Sequence, residues 1–159
     1  EQTVGEFPEW ISGYIGQYVH GNEPSHHVPY LYQYVGKGYK TQKYVRQVMD
    51  KLYHTAPGGL SGNEDAGQMS AWYLFSALGF YPVNPVSGEY VLGSPEVSSA
   101  KIHLENGKTF SVQALNQSKE NVYVQSVSLN GQPLQQFFIR HSDILAGGSL
   151  VFEMGAQPK

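Results

Sequence analysis

The uneven placement of the aromatic residues constrains the fold of this chain more than any other feature. Of its twelve tyrosines only Tyr123 lies beyond position 90, and both tryptophans, Trp10 and Trp72, lie before it. Apolar residues recur with a helical period in the first half and alternate as in strands in the second. The sequence therefore predicts an α+β chain, with a helical segment at residues 1–84 and an antiparallel β region at residues 85–159.

Four helices are predicted in the first half. Val45, Val48, Met49 and Leu52 form the stripe of an amphipathic helix, with Thr41 as its N-cap. The predicted helices cover residues from about 8 to 19, 24 to 35, 41 to 52, and from 65 or 68 to 78. The last of these is apolar on more than one side, which indicates a buried helix.

Two Asn-Gly pairs punctuate the second half. Asn106-Gly107 and Asn130-Gly131 each lie between runs in which apolar and polar residues alternate. This pattern is a strong local signal for a two-stranded hairpin. We therefore expect a small antiparallel sheet or sandwich.

Composition excludes several classes of function. The net charge is −3 without a basic stripe, which argues against a nucleic-acid partner. No apolar run approaches the roughly 20 residues that a membrane helix needs. The chain has no cysteine, so a disulfide scaffold and thiolate zinc sites are excluded.

The unusual polar residues are concentrated in two loops, at positions 21–27 and 58–70. Each loop places carboxylates and amides just before a predicted helix, where free N–H groups favour negative charge. Ordinary helix capping explains one such residue per helix, but the second loop carries four, which are Asn63, Glu64, Asp65 and Gln68. A general base, a hard-cation site such as calcium, or a sugar-binding site are the functional alternatives.

The two loops and the tail resemble a known family. The stretches "GNEPSHH" at 21–27 and "GGLSGNEDAGQMSAWYLFSALGFYPV" at 58–83, with "YVLGSPEV" and "IRHSDILAGGSLVFEMG" in the second half, resemble the end of the exo-acting α-mannosidases of glycoside hydrolase family ninety-two. The resemblance covers nearly the whole chain.

The resemblance implies a fold and a cofactor. Enzymes of this family pair an N-terminal β-sandwich with an (α/α)6 barrel, depend on calcium and invert the anomeric configuration. This chain would supply the last barrel helices and the closing antiparallel β region, as a C-terminal fragment of a longer enzyme. The resemblance implies mannose-containing glycans as substrates and a periplasmic or secreted location, while the calcium ligands stay unassigned.

The resemblance also implies roles for individual residues. Asp65 matches the general base, and Asn63 matches a position that assists the base or its water. Glu23, His26, His27 and Gln68 are expected at the substrate. The family's general acid has no match in this chain, so the chain alone is expected to be inactive.

Two other classes of function remain open from the sequence. One is a non-catalytic carbohydrate-binding module, and the other is a purely structural domain. If the chain is a piece of a barrel, we expect apolar faces such as those of Trp72, Phe75 and Leu78 to be exposed. The chain would then self-associate, or remain beside the missing N-terminal part of the same enzyme.

Overall fold

The computed structural model describes residues 11–159 and has an α+β fold. Its α-helices are α1 (Gly38–Leu52), α2 (Gln68–Leu78) and α3 (His141–Leu145). The helices predicted around 41–52 and 68–78 are confirmed. Thr41 is not an N-cap, because α1 begins three residues earlier and buries Thr41 inside its second turn.

The third predicted helix is present in a different form. Residues 24–35 form two 3₁₀-helices, Glu23–Ser25 and Val28–Val35. Pro29 lacks the N–H group that the interior of an α-helix over residues 24–35 would use, and shorter 3₁₀ segments form instead. Gly36, at a φ of 68°, ends the segment in the left-handed conformation.

The prediction of a helix over residues 8–19 is wrong for its described part. Strands β1 (Tyr14–Ile15) and β2 (Tyr18–Val19) form a small antiparallel hairpin there. Gly13 and Gly16 have φ angles of 76° and 61°, which turn the chain where a helix would continue. The start of that predicted helix lies outside the described residues.

Eight further strands build the second half of the fold. They are β3 (Phe80–Tyr81), β4 (Glu89–Leu92), β5 (Ser99–His103), β6 (Thr109–Leu115), β7 (Tyr123–Leu129), β8 (Gln132–Pro133), β9 (Phe138–Arg140) and β10 (Gly148–Gly155). A three-stranded sheet has the order β3-β4-β9, and a five-stranded sheet has the order β5-β6-β10-β7-β8.

Both predicted Asn-Gly turns are confirmed. Asn106-Gly107 connects β5 to β6, and Asn130-Gly131 connects β7 to β8 with both residues at positive φ. The expected antiparallel pairing is confirmed for most strand pairs, but β10 pairs parallel with β6. β10 lies between β6 and β7, which run in opposite directions, so it is parallel to one neighbour and antiparallel to the other.

Two clusters of buried side chains stabilise the fold. One packs the inner face of the larger sheet and contains Phe110, Val112, Leu150 and Phe152. The other lies among the helices and contains Tyr30, Val45, Met49, Trp72 and Tyr81, together with Val91 from β4.

The helices also contact the second half through polar groups. The buried guanidinium of Arg46, on α1, donates to the carbonyl of Pro95 at 3.0 Å. The amide of Gln33 donates to the carbonyl of Leu92 at 2.7 Å. These bonds join the 3₁₀ segment and α1 to the loops and strands that follow α2.

The apolar surface differs from the expectation. Trp72 is fully buried, and Phe75 and Leu78 are half-buried, so the predicted exposed face of α2 is wrong. Leu74 is an exposed apolar side chain on α2, and the second 3₁₀-helix exposes Val28, Leu31, Tyr34 and Val35, while Tyr39, Val86, Leu115 and Leu145 are exposed elsewhere. Within residues 11–159, two α-helices exceed two turns, and these do not by themselves form a barrel.

Candidate active site

The two polar loops predicted from the sequence lie in direct contact. Gly62 has a φ of 72°, and a Cβ atom there would meet the carbonyl oxygen of Gly21 at 2.5 Å. A Cβ on Gly13 would meet Ser61 at 2.7 Å. Glycine at these positions is therefore required for the loop at 58–70 to pack against the loop at 21–27.

Three consecutive left-handed residues end the second loop. Asp65, Ala66 and Gly67 have φ angles of 47°, 56° and 93° before α2 begins. A left-handed alanine is unusual, because its Cβ crowds the backbone.

Glu64, rather than Asp65, acts as the acidic cap of α2. Its carboxylate accepts from the backbone N–H of Ser70 at 2.8 Å and from the Ser70 hydroxyl at 2.6 Å. These two donors lower the pKa of Glu64. Glu64 therefore accounts for helix capping in this cluster. The carboxylate of Asp65 is not needed for capping and can serve a functional role.

The carboxyl groups of Glu23 and Asp65 form a pair across the two loops. The Asp65 carboxyl hydrogen-bonds that of Glu23 and raises the pKa of Glu23 above its usual range. The Oε1 atom of Glu23 is buried, and no donor within residues 11–159 contacts it. A buried acceptor without a donor suits a ligand hydroxyl or a cation.

His26 and Gln68 connect the same two loops at a buried position. The side-chain amide of Gln68 donates to Nδ1 of His26 at 3.1 Å and to the hydroxyl of Tyr81 at 3.1 Å. Nε2 of His26 faces the backbone carbonyl of His20 at 3.0 Å. Both ring nitrogens of His26 are therefore engaged within the protein, and the ring itself is buried.

A second histidine, which the sequence analysis did not single out, lies beneath the first. The ring of His20 stacks on that of His26, with centroids 4.6 Å apart. Its nitrogens contact the hydroxyls of Tyr18 at 2.8 Å and Tyr53 at 2.6 Å. Burial and the neighbouring His26 lower the pKa of His20 to about 3. No local pattern in the sequence marks this residue as buried.

The remaining predicted site residues, Asn63 and His27, are more open than the buried His26, and Asp65 is itself exposed. Asn63 is exposed, and His27 is half-buried at the start of the second 3₁₀-helix. Neither side chain forms a hydrogen bond within the described part of the chain. Both flank the Glu23–Asp65 pair along the sequence without joining the buried contacts of His26.

The described residues do not by themselves form a calcium shell. Calcium takes six to eight oxygen ligands, and residues 11–159 contain no cluster of three or more acidic or histidine side chains that could hold an ion. The Glu23–Asp65 pair offers two carboxyl groups. Further ligands would have to come from backbone carbonyls, amides or another part of a longer chain.

Comparison with known proteins places this geometry in context. The model of the glycosyl hydrolase family 92 catalytic domain matches residues 2–156. An uncharacterized secreted glycosidase of Arthroderma benhamiae is 34% identical over 140 residues, which is 86% of this chain and 18% of that protein. Among the described residues, no helix has the length and apolar character to cross a membrane.

Solved structures match along most of the chain. A family GH92 α-mannosidase of Bacteroides thetaiotaomicron in complex with mannoimidazole superimposes with a TM-score of 0.92 at 42% identity, covering 97% of this chain and 21% of that one. A family GH92 inverting mannosidase of the same organism has a TM-score of 0.84 at 45% identity, covering 90% and 19%. The chain thus spans about a fifth of the length of the relatives it matches.

Proposed function

Because the chain belongs to glycosyl hydrolase family 92, we propose that it forms part of an inverting exo-α-mannosidase and carries the general base, Asp65. The observation that carries this proposal is the Glu23–Asp65 pair, which two loops distant in sequence bring together. The similarity to mannosidases, at 42–45% identity, supports mannose as the sugar.

The pair has the chemistry that an inverting reaction needs on one side of the sugar. Inverting hydrolysis uses one carboxylate to activate water, while a carboxylic acid elsewhere protonates the leaving oxygen. The neighbouring Asp65 carboxyl raises the pKa of Glu23. Asp65 is proposed to accept the proton of the attacking water.

Glu23 is proposed as the sugar contact. Its buried Oε1 atom lacks a donor within the described residues, and a mannose hydroxyl supplies one. His26 and Gln68 support this loop from beneath. Asn63 and His27, both more exposed, are proposed to orient the water and the substrate from the rim.

The rest of the machinery is proposed to come from the longer protein. No residue of this chain matches the general acid that the family resemblance implies, so we expect the chain alone to be inactive. Calcium is proposed as a cofactor on the family resemblance, with the rest of its ligands outside the described residues. The name of the fungal relative supports a secreted location.

The exposed apolar residues of the second 3₁₀-helix are proposed to contact that remaining part. Tyr34 and Val35 are 51% and 65% exposed, and Leu31 is 42% exposed. In the isolated chain the same surface would favour self-association. Light scattering that finds a clean monomer without dye-binding apolar surface would contradict this.

The experiment uses the full-length protein that contains this chain and measures mannose release from α-linked mannobiose. Asp65→Asn should lower kcat by roughly 10²–10⁴-fold, the usual contribution of a positioned base. Glu64→Gln is the matched control, since it alters the adjacent acid that only caps α2, and it should stay within about fivefold of wild type. Equal activity in both variants would contradict the assignment. Mannose binding without release by the wild type would favour a carbohydrate-binding module.

A further inference from the structure

The hydrogen bonds of the stacked histidines fix the tautomer of each ring. The hydroxyl of Tyr53 donates to the carbonyl of Met69 at 3.1 Å, so it must accept from Nε2 of His20. Nδ1 of His20 then accepts from the hydroxyl of Tyr18. In His26, Nε2 donates to a carbonyl oxygen, and Nδ1 accepts from the amide of Gln68. Each ring therefore uses one donor and one acceptor, as a neutral imidazole does.

His20 lies at the junction of three segments that carry or support the Glu23–Asp65 pair. Through Tyr18 it is tied to β2, immediately before the Glu23 loop. Through Tyr53 it is tied to the end of α1 and, by the Met69 carbonyl, to the first turn of α2. Its own carbonyl accepts from His26, inside the Glu23 loop.

Aromatic rings enclose this junction. The Trp72 ring meets His20 edge-on at 4.4 Å, and its Nε1 donates to the carbonyl of His26 at 2.9 Å. Tyr53 stacks on Trp72 at 5.9 Å. His20 is fully buried among these rings. A positive charge on the His20 ring is therefore unfavourable, because no solvent stabilises it there.

The titratable groups around His20 come from every neighbouring element. They are Tyr18 on β2, His26 in the Glu23 loop, Tyr53 after α1, and Tyr81 on β3, which is reached through Gln68. Glu64 acts on Tyr53 from the loop before α2. Burial raises the pKa of each of these tyrosines and lowers the pKa of both His20 and His26, so all of these groups are favoured in their neutral forms.

We infer that His20 is a positioning residue for the reaction, holding the Glu23 loop against the first turn of α2 through its stack on His26 and its bond to Tyr53. This inference rests on the proposed function, because it deepens the role of the same site. His20 touches neither carboxyl of the pair. It acts through the backbone of the loop that carries Glu23 and through the turn that follows Asp65.

The test compares two substitutions of His20 in the full-length protein. His20→Phe keeps a flat ring for stacking but loses both hydrogen bonds. His20→Gln keeps a donor near the Nε2 position and loses the ring. His103→Phe is the control, since His103 is an exposed histidine on β5. The measurements are kcat and KM for mannobiose, with amide hydrogen exchange of residues 21–27 and 64–70.

Positioning predicts that His20→Phe lowers kcat/KM by up to about 100-fold, the scale of a small misplacement of a binding group. More of this loss should appear in KM than in kcat, because Glu23 is the sugar contact. His20→Gln should recover most of it, and His103→Phe should match wild type. Near-wild-type kinetics for His20→Phe would overturn the inference. Equal losses in both His20 variants, in proportion to lost stability, would also overturn it.

Hydrogen exchange separates this inference from the proposed function. If the wild type releases no mannose, the proposed function fails, and the positioning of the two loops is then judged by exchange alone. Faster exchange at 21–27 and 64–70 in His20→Phe, but not in His103→Phe, would support positioning. Unchanged exchange at both segments would overturn it.

Discussion

The two halves of the molecule bury aromatic rings in different ways. On the sheet side, Phe110 and Phe152 pack among aliphatic residues, and the buried members of that cluster are all apolar. On the helical side, Trp72 and Tyr30 are equally buried, but each donates or shares a hydrogen bond, to the His26 carbonyl and to Ser76. The core on the sheet side is held together by apolar contacts. The core on the helical side also contains hydrogen bonds, which fix the orientation of its aromatic rings.

This difference explains where the candidate site lies. An apolar core tolerates small shifts of its members, whereas a buried polar network is costly unless every partner stays in place. Loops attached to such a network have defined positions despite their length. The Glu23 and Asp65 loops are attached in this way, through His26, Gln68 and Trp72.

The largest expected effect comes from removing one ring from each core. Phe152→Ala should lower the free energy of unfolding by about 3–5 kcal/mol. Trp72→Ala should cost a similar amount and roughly 1–3 kcal/mol more, because the His26 carbonyl loses its donor. Urea unfolding measures both. We expect only Trp72→Ala to speed amide hydrogen exchange in the Glu23 loop. Equal exchange rates in Phe152→Ala would contradict the claim that the helical core alone positions this loop.

Acid should weaken the helical core through His20. Its pKa of about 3 in the fold lies below the ordinary 6.5, so the unfolded chain binds the proton first. The stability from the neutral ring is fully present above pH 6.5 and is lost as the pH falls toward 3. The slope is about 1.4 kcal/mol per pH unit. Urea unfolding between pH 7 and pH 5 checks this.

His20→Gln provides the control for that titration. The variant cannot bind the proton, so its unfolding free energy should depend less on pH over the same range. Identical pH dependence in wild type and His20→Gln would show that acid acts elsewhere.

A smaller effect is expected at the glycines. Gly62 and Gly131 have nearly the same φ, 72° and 78°, but a Cβ at Gly62 meets the Gly21 carbonyl, and one at Gly131 meets nothing within 4 Å. Gly131→Ala should therefore cost only the left-handed strain, about 1–2 kcal/mol. Gly62→Ala should cost roughly 1–3 kcal/mol more and should also lower activity. Thermal unfolding of the two variants measures this difference. A similar loss of stability in both would argue against close contact between the two loops.

The sequence predicted the regular elements with strong local signals. The stripe from Val45 to Leu52 and the Asn-Gly turns depend on neighbours in the chain, and both were confirmed. The hairpin at residues 14–19 was missed because its apolar residues also fit a helix, and two glycines at positive φ decided the outcome. The parallel pairing of β10 with β6 follows from its position between β6 and β7, which strand patterns do not reveal.

The site could be predicted only in part. The concentration of acids in two loops indicated where it lies, and the family motif marked Asp65 and Glu23. Glu64 caps α2 and Asp65 does not, and three residues with left-handed backbone follow Glu64. Amino-acid composition does not predict this backbone conformation. His20 remained unnoticed because its importance comes from Tyr53 and His26, which are brought to it by the fold.

The pairing of Glu23 with Asp65 is tested most directly by an NMR titration of the Glu23 carboxyl carbon in wild type, Asp65→Asn and Glu64→Gln. We expect a raised pKa for Glu23 in wild type, because the Asp65 carboxyl is its partner. This pKa should fall toward its ordinary value in Asp65→Asn and stay raised in Glu64→Gln. A Glu23 titration that is the same in all three proteins would contradict the pairing of the two loops' carboxyl groups.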